Sequence, residues 1–153
     1  MKIPAIHPRT TPLADVALLI GRLALGATMV AHGLQKLDQG GLGGTAEGFE
    51  QMGIPAPGAA ALFSISVELG GGVLILLGAL TPIVGLLWAG NMAGAWWYVH
   101  RDAFFAGEGG YELVMVLGAL GLVLAGTGPG RLSVDALLTR NRTREDVREP
   151  VAA

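Results

Sequence analysis

Three polar side chains stand inside runs of apolar residues: Arg22 in VALLIGRLALGATMVA, Glu68 in AALFSISVELGGGVLILLGAL and Asn91 in GLLWAGNMAGA. A charge at that depth in a bilayer costs about 3 kcal/mol on insertion scales. It must therefore face protein, find a partner or hold a proton. Arg22 lies nine residues into a helix that starts at Leu13, and Glu68 nine into one that starts at Ala59. At about 1.5 Å per residue both sit about 13–14 Å from opposite ends, so both fall near mid-depth. The expectation is an Arg22–Glu68 ion pair, which relieves two costly burials together, with Asn91 donating to the carboxylate. Such a triad either fixes the register of three helices or binds a polar ligand head or passes a proton. The residues leave both readings open.

A second group gathers where three helices end on one side. His32 and Lys36 close the first helix, Tyr98, His100 and Arg101 close the third, and Tyr111 and Glu112 open the fourth. Two histidines and a carboxylate on separate helices are metal-ligand types, but no HxxH or HxxxH spacing occurs and no fourth ligand can be named. No metal is assigned. Headgroup contacts and helix capping account for much of this group. The alternative is a mouth for a quinone or another amphipathic ligand, with imidazole and carboxylate as proton partners.

These side chains need long apolar helices to position them, and the composition supplies them. Apolar residues make up 52% of the 153, charged residues 14%, and mean hydropathy is +0.55. Soluble domains carry roughly 25% charged residues. The 25 glycines lie within the apolar runs, where membrane helices tolerate them. Net charge is −2, which gives no footing for nucleic acid. There is no cysteine, hence no disulfide, thiolate metal site or dithiol relay within the chain.

Four helices are expected, at about 13–34, 59–80, 83–100 and 111–127, giving an all-α integral membrane four-helix bundle. The apolar run near the start is read as a retained helix: Arg22 interrupts it and no convincing small-residue cleavage site follows. Residues 1–12 form an arm, with Thr11 or Asp15 as a cap for the first helix. Residues 38–58 form the longest connection, with a short interfacial helix over 45–52 that turns Phe49 and Met52 inward. Gly90 and Gly94 make a GxxxG packing motif, and Trp96, Trp97 and Tyr98 fit an aromatic belt. Ser133 is placed to cap a short helix over 134–139 with Asp135 in its first turn. Residues 140–153 are charged and without apolar period, so disorder is expected there. Seven basic residues lie on the arm and tail against Lys36 and Arg101 on the other connections. By the positive-inside rule both termini are cytoplasmic in a multi-pass protein of the cell membrane.

These residues give the chain a family likeness. Arg22 is followed by His32-Gly33-Leu34-Gln35-Lys36-Leu37. Phe49 precedes Gly53-Ile54-Pro55. Glu68-Leu69-Gly70-Gly71-Gly72 leads to Leu77-Gly78 and Thr81. His100 and Glu112 flank the last connection, and Gly128-Pro129-Gly130-Arg131-Leu132-Ser133-Val134-Asp135 closes the domain. In this order, over residues 13–138, the chain resembles the DoxX family of small four-helix membrane proteins. The resemblance implies a subunit of a membrane redox assembly. One branch is associated with thiosulfate:quinone oxidoreductase, and another joins a superoxide dismutase and a sulfurtransferase in thiol and oxidative-stress handling. The wider superfamily includes chaperone-like members. Arg22, His32, Lys36, Glu68, His100 and Glu112 match the family's polar positions.

The functional expectation is an integral membrane subunit of a redox complex, not catalytic alone, with a quinone or other amphipathic ligand near Arg22, Glu68, Asn91, His32, Lys36, Tyr98, His100 and Glu112. Its partners are the lipid bilayer, redox-enzyme subunits and in some arrangements further copies of itself. Any thiol chemistry must come from a partner. A membrane scaffold or assembly factor without a small-molecule site is the alternative, and a small transporter is third. No inverted repeat or broken-helix pair supports the last.

Overall fold

A computed structural model describes residues 11–139. The charged tail over 140–153 and most of the N-terminal arm lie outside them. Helix α1 spans Pro12–Asp38, α2 Gly41–Gln51 and α3 Pro57–Leu77. Helix α4 spans Thr81–Ala95 and continues in a π-helical turn, Trp96–His100. Helix α5 spans Glu112–Thr127, and α6 covers 134–139. The structure is all-α among the described residues. Helices α1 and α3 are long and apolar enough to cross a membrane, and α5 is a shorter apolar helix of 16 residues.

The helices start and stop where local chemistry dictates. Pro12 and Pro57 sit in the first turns of α1 and α3, where a missing N–H costs nothing. Thr11 Oγ1 accepts from Ala14 N at 3.2 Å and caps α1. The expected end of the second helix at Leu80 is corrected to Leu77. Gly78 adopts φ +67, and Ala79 N returns to Leu74 O at 2.9 Å, which closes the helix in a left-handed turn. Helix α1 runs past its expected end at Leu34 to Asp38, because no breaker precedes Gly40.

The four long helices close into a ring in which α1 packs on α3, α3 on α4, α4 on α5 and α5 on α1. Leu25 and Met29 of α1, Val67 and Ile75 of α3, Val84, Trp88 and Met92 of α4, and Val114 and Leu124 of α5 form the core. The outside of the ring is apolar as well: Ile20, Leu23, Leu62, Leu86, Val116 and Leu122 are all exposed. A contiguous apolar exterior of this kind suits lipid, not water. Helix α2 packs across α3 and the end of α1.

Two glycine contacts set the register. A Cβ on Gly33 would stand 2.7 Å from Leu69 and 3.1 Å from Glu68 Cβ; one on Gly26 would stand 2.9 Å from Gly72 O. Bare backbone at these points lets α1 and α3 touch. Glu68 is therefore level with Gly33. By contrast a Cβ on Gly90 or Gly94, both expected to pack against a helix, would meet nothing within 4 Å. These two glycines open space instead of closing it.

Candidate functional site

The expected Arg22–Glu68 pair is absent, and the register explains why. The sequence count assumed that the two helices end flush, but the C-terminal end of α3 is level with Arg22. The fully buried Arg22 Nη1 donates to Ile75 O at 3.3 Å and to Leu76 O at 3.2 Å, while Nη2 donates to Leu132 O. A cation thus meets the negative end of the α3 dipole and ties it to the segment after α5. Nearby, Asp15 accepts from the backbone and side chain of Arg131. Asp135 accepts from Leu80 N at 3.0 Å and Thr81 N at 3.2 Å, capping α4 from another part of the chain. Ser133 Oγ accepts from Ala136 N at 3.2 Å. This end of the bundle is a structural clamp, and Arg22 belongs to it.

Glu68 finds its partners on the other side. Its carboxylate is 2% exposed, and Oε1 accepts from Lys36 Nζ in an ion pair, from Ser64 Oγ at 3.2 Å and from Asn91 Nδ2 at 3.3 Å. Ser64 stands one helical turn before Glu68 on the same face. Sequence reading missed it, although a hydroxyl four residues from a lone carboxylate is the signal that finds it. Oε2 of Glu68 and Nε1 of Trp88 are buried with no hydrogen-bond partner among the described residues.

Around these atoms lies a cavity of about 570 Å³ between α1, α2, α3, α4 and α5. Glu68, Lys36, Asn91 and Trp88 line it, as do His32, Tyr98 and His100. Phe49 and Met52 of the α2 segment face it, and Gly90 and Gly94 leave it room. Both π-helical turns, Val67–Gly71 and Trp96–His100, contribute to its wall through Glu68 and through Tyr98 and His100. Such turns shift side chains off the α-helical register and recur at functional sites. Six of the eight candidate residues thus share one cavity. Arg22 does not join them. Glu112 caps the preceding 3₁₀ turn, accepting from Ala106 N at 2.8 Å.

Each of the two histidines is held by a backbone carbonyl. His32 Nδ1 lies 2.9 Å from Thr28 O and His100 Nδ1 2.7 Å from Gly109 O. A carbonyl only accepts, so each Nδ1 bears the hydrogen and donates to it. Among the described residues no three His, Asp or Glu side chains converge to hold a metal ion.

Fold and cavity together define a small helical membrane protein with polar side chains gathered in a cavity of an apolar bundle. The chain belongs to the DoxX family, whose model matches residues 17–101. It is 32% identical over 133 residues to the protein named "Putative oxidoreductase CatD" of Bacillus subtilis (strain 168), covering 87% of this chain and 95% of that one. It is 34% identical over 130 residues to inner membrane protein YqjF of Escherichia coli (strain K12), covering 84% and 96%. Inner membrane protein YphA of the same organism is 31% identical over 127 residues, covering 78% and 89%. No solved structure matches the chain.

Proposed function

We propose that this protein is a multi-pass component of a redox assembly in the cell membrane, with both termini cytoplasmic, and that its cavity holds a quinone-class amphipathic ligand. The observation that carries the proposal is a cavity of about 570 Å³ with mostly apolar walls that hold the Lys36–Glu68 ion pair with Asn91 against it, and Ser64, His32, Tyr98 and His100 as the other polar lining. Ligand sites of this kind combine apolar walls with a few placed polar groups. Phe63, Met92 and Leu117 offer surface to a ring. Lys36 and Asn91 have further N–H groups to donate to a ring oxygen. Nε2 of His32 or His100 can take or return a proton. A quinone, when bound, supplies two-electron, two-proton exchange. The likeness to a protein named as an oxidoreductase supports the redox assignment.

The test is to isolate the protein with its native lipids, extract it, and identify any co-isolated quinone by mass spectrometry. A decyl benzoquinone is then titrated in detergent against the fluorescence of Trp88 in a variant with Trp96 and Trp97 replaced by Phe. Co-isolation and saturable quenching support the proposal. No quinone in the extract and no saturable response overturn it and leave the scaffold reading. A reporter fused to the C-terminus, assayed on both faces of the membrane, tests the orientation.

A further inference from the structure

Two buried, unsatisfied atoms of cavity-lining residues are unlike each other, and that difference selects a ligand. Glu68 Oε2 is an acceptor and Trp88 Nε1 a donor, both buried and both without a partner among the described residues. They belong to residues that line the same cavity. They also lie at one level of the bundle. Asn91, one turn beyond Trp88 on α4, bonds Glu68, and a Cβ on Gly71, one turn beyond Glu68, would stand 3.0 Å from Val84, one turn before Trp88. Oε1 of Glu68 is already saturated by Lys36, Ser64 and Asn91. What is left without a donor is the other carboxylate oxygen, which only accepts.

We infer that the cavity is selective for the hydroxyl, reduced form of its ligand over the carbonyl, oxidised form. The inference rests on the quinone-class reading above and adds to it which redox state binds. A phenolic O–H donates to Glu68 Oε2, while its oxygen can accept from Trp88 Nε1. A quinone carbonyl can accept from Trp88, Lys36 or Asn91, but has nothing to give Oε2. It leaves a buried carboxylate oxygen unpaired, and that oxygen's lone pairs oppose its own. A buried acceptor left without a donor costs more than an ordinary hydrogen bond gains, and bonds to charged groups are the strong ones.

The experiment is an anaerobic titration by equilibrium dialysis of the detergent-solubilised protein with three probes: decyl benzoquinol, decyl benzoquinone and the dimethyl ether of the quinol. The ether keeps the ring, tail and oxygens and lacks only the donors. The quinol is expected to bind about tenfold or more tighter than either of the others. Glu68→Gln removes the charge and is expected to shrink that ratio to within about threefold. Trp88→Phe is expected to weaken quinol and quinone together and leave their ratio in place. The wild-type comparison needs no variant to fold. Quinone binding as tightly as quinol, or ether binding as tightly as quinol, overturns the inference and leaves the quinone-class reading standing. Failure of all three probes to bind overturns both.

Discussion

Lys36 reaches back along its own helix to pair with Glu68, whose level on α1 is that of Gly33, one turn earlier. Side chains on a helix lean toward its N-terminus, so this is the direction a lysine takes without strain. Gly33 makes it workable. With no side chain there, the α3 backbone and Glu68 come against α1, and the lysine stem lies over them. The lysine side chain is about a quarter exposed and the glutamate side chain 2% exposed. The pair thus joins the cavity floor to the rim.

Removing one partner of this pair is expected to cost more than removing both. Lys36→Ala strands a buried carboxylate, and the loss should be about 2–4 kcal/mol, reduced from the fully buried case by the lysine's partial exposure. Lys36→Ala combined with Glu68→Gln should recover part of it. Thermal unfolding in detergent of the two singles and the double measures the coupling. Strictly additive losses would show that the two residues do not act as a pair.

Arg22 is expected to behave as a structural group. Arg22→Met should lower the melting temperature and loosen the segment after α5, because the bonds to Ile75 O, Leu76 O and Leu132 O all go. The loss should be about 2–4 kcal/mol. Arg22→Lys should rescue little, since a point charge cannot fork to α3 and to the segment after α5 at once. Limited proteolysis near Gly128 reads the loosening. A variant with wild-type melting and protection would show that the clamp is dispensable.

Asp135 makes a narrower case. It caps α4 through Leu80 N and Thr81 N, with Leu80 held at φ +51. Asp135→Ala should cost about 1–2 kcal/mol, the usual value of a lost cap. Hydrogen exchange should quicken at Leu80 and Thr81 before it quickens in the middle of α4. Uniform exchange along α4 would argue that the cap is not what holds that end.

How much of this was legible in the sequence depends on which interaction is asked about. Apolar runs, prolines at N-terminal turns and the Ser133–Asp135 pattern are local, and local chemistry can be read from spacing. The identity of Glu68's partner was not legible. Arg22 and Lys36 are both cations on the same helix, 14 residues apart, and counting inward from the helix starts favours Arg22. What decides for Lys36 is where α3 stops relative to α1. That is set by Gly78 and by the fit of Gly26 and Gly33 against α3, a fact of packing between elements. Gly90 and Gly94 show the same limit. A GxxxG spacing marks a smooth face, but only the neighbours determine whether the face is covered or lines a hollow.

That distinction gives the sharpest contrast among the glycines. Gly33→Ala is expected to destabilise, because its methyl meets Leu69 at 2.7 Å and Glu68 Cβ at 3.1 Å and so pushes α3 off α1. Gly90→Ala meets nothing within 4 Å, and removing a mid-helix glycine should stabilise by up to about 1 kcal/mol. Gly90→Leu should keep the fold and fill part of the cavity. Its melting temperature should stay at or above wild type while saturable quenching of Trp88 by decyl benzoquinol falls at least about tenfold. Stability thereby separates from occupancy at a single residue. If Gly90→Leu binds the probe as wild type does, the hollow beside Asn91 is not where the ring sits.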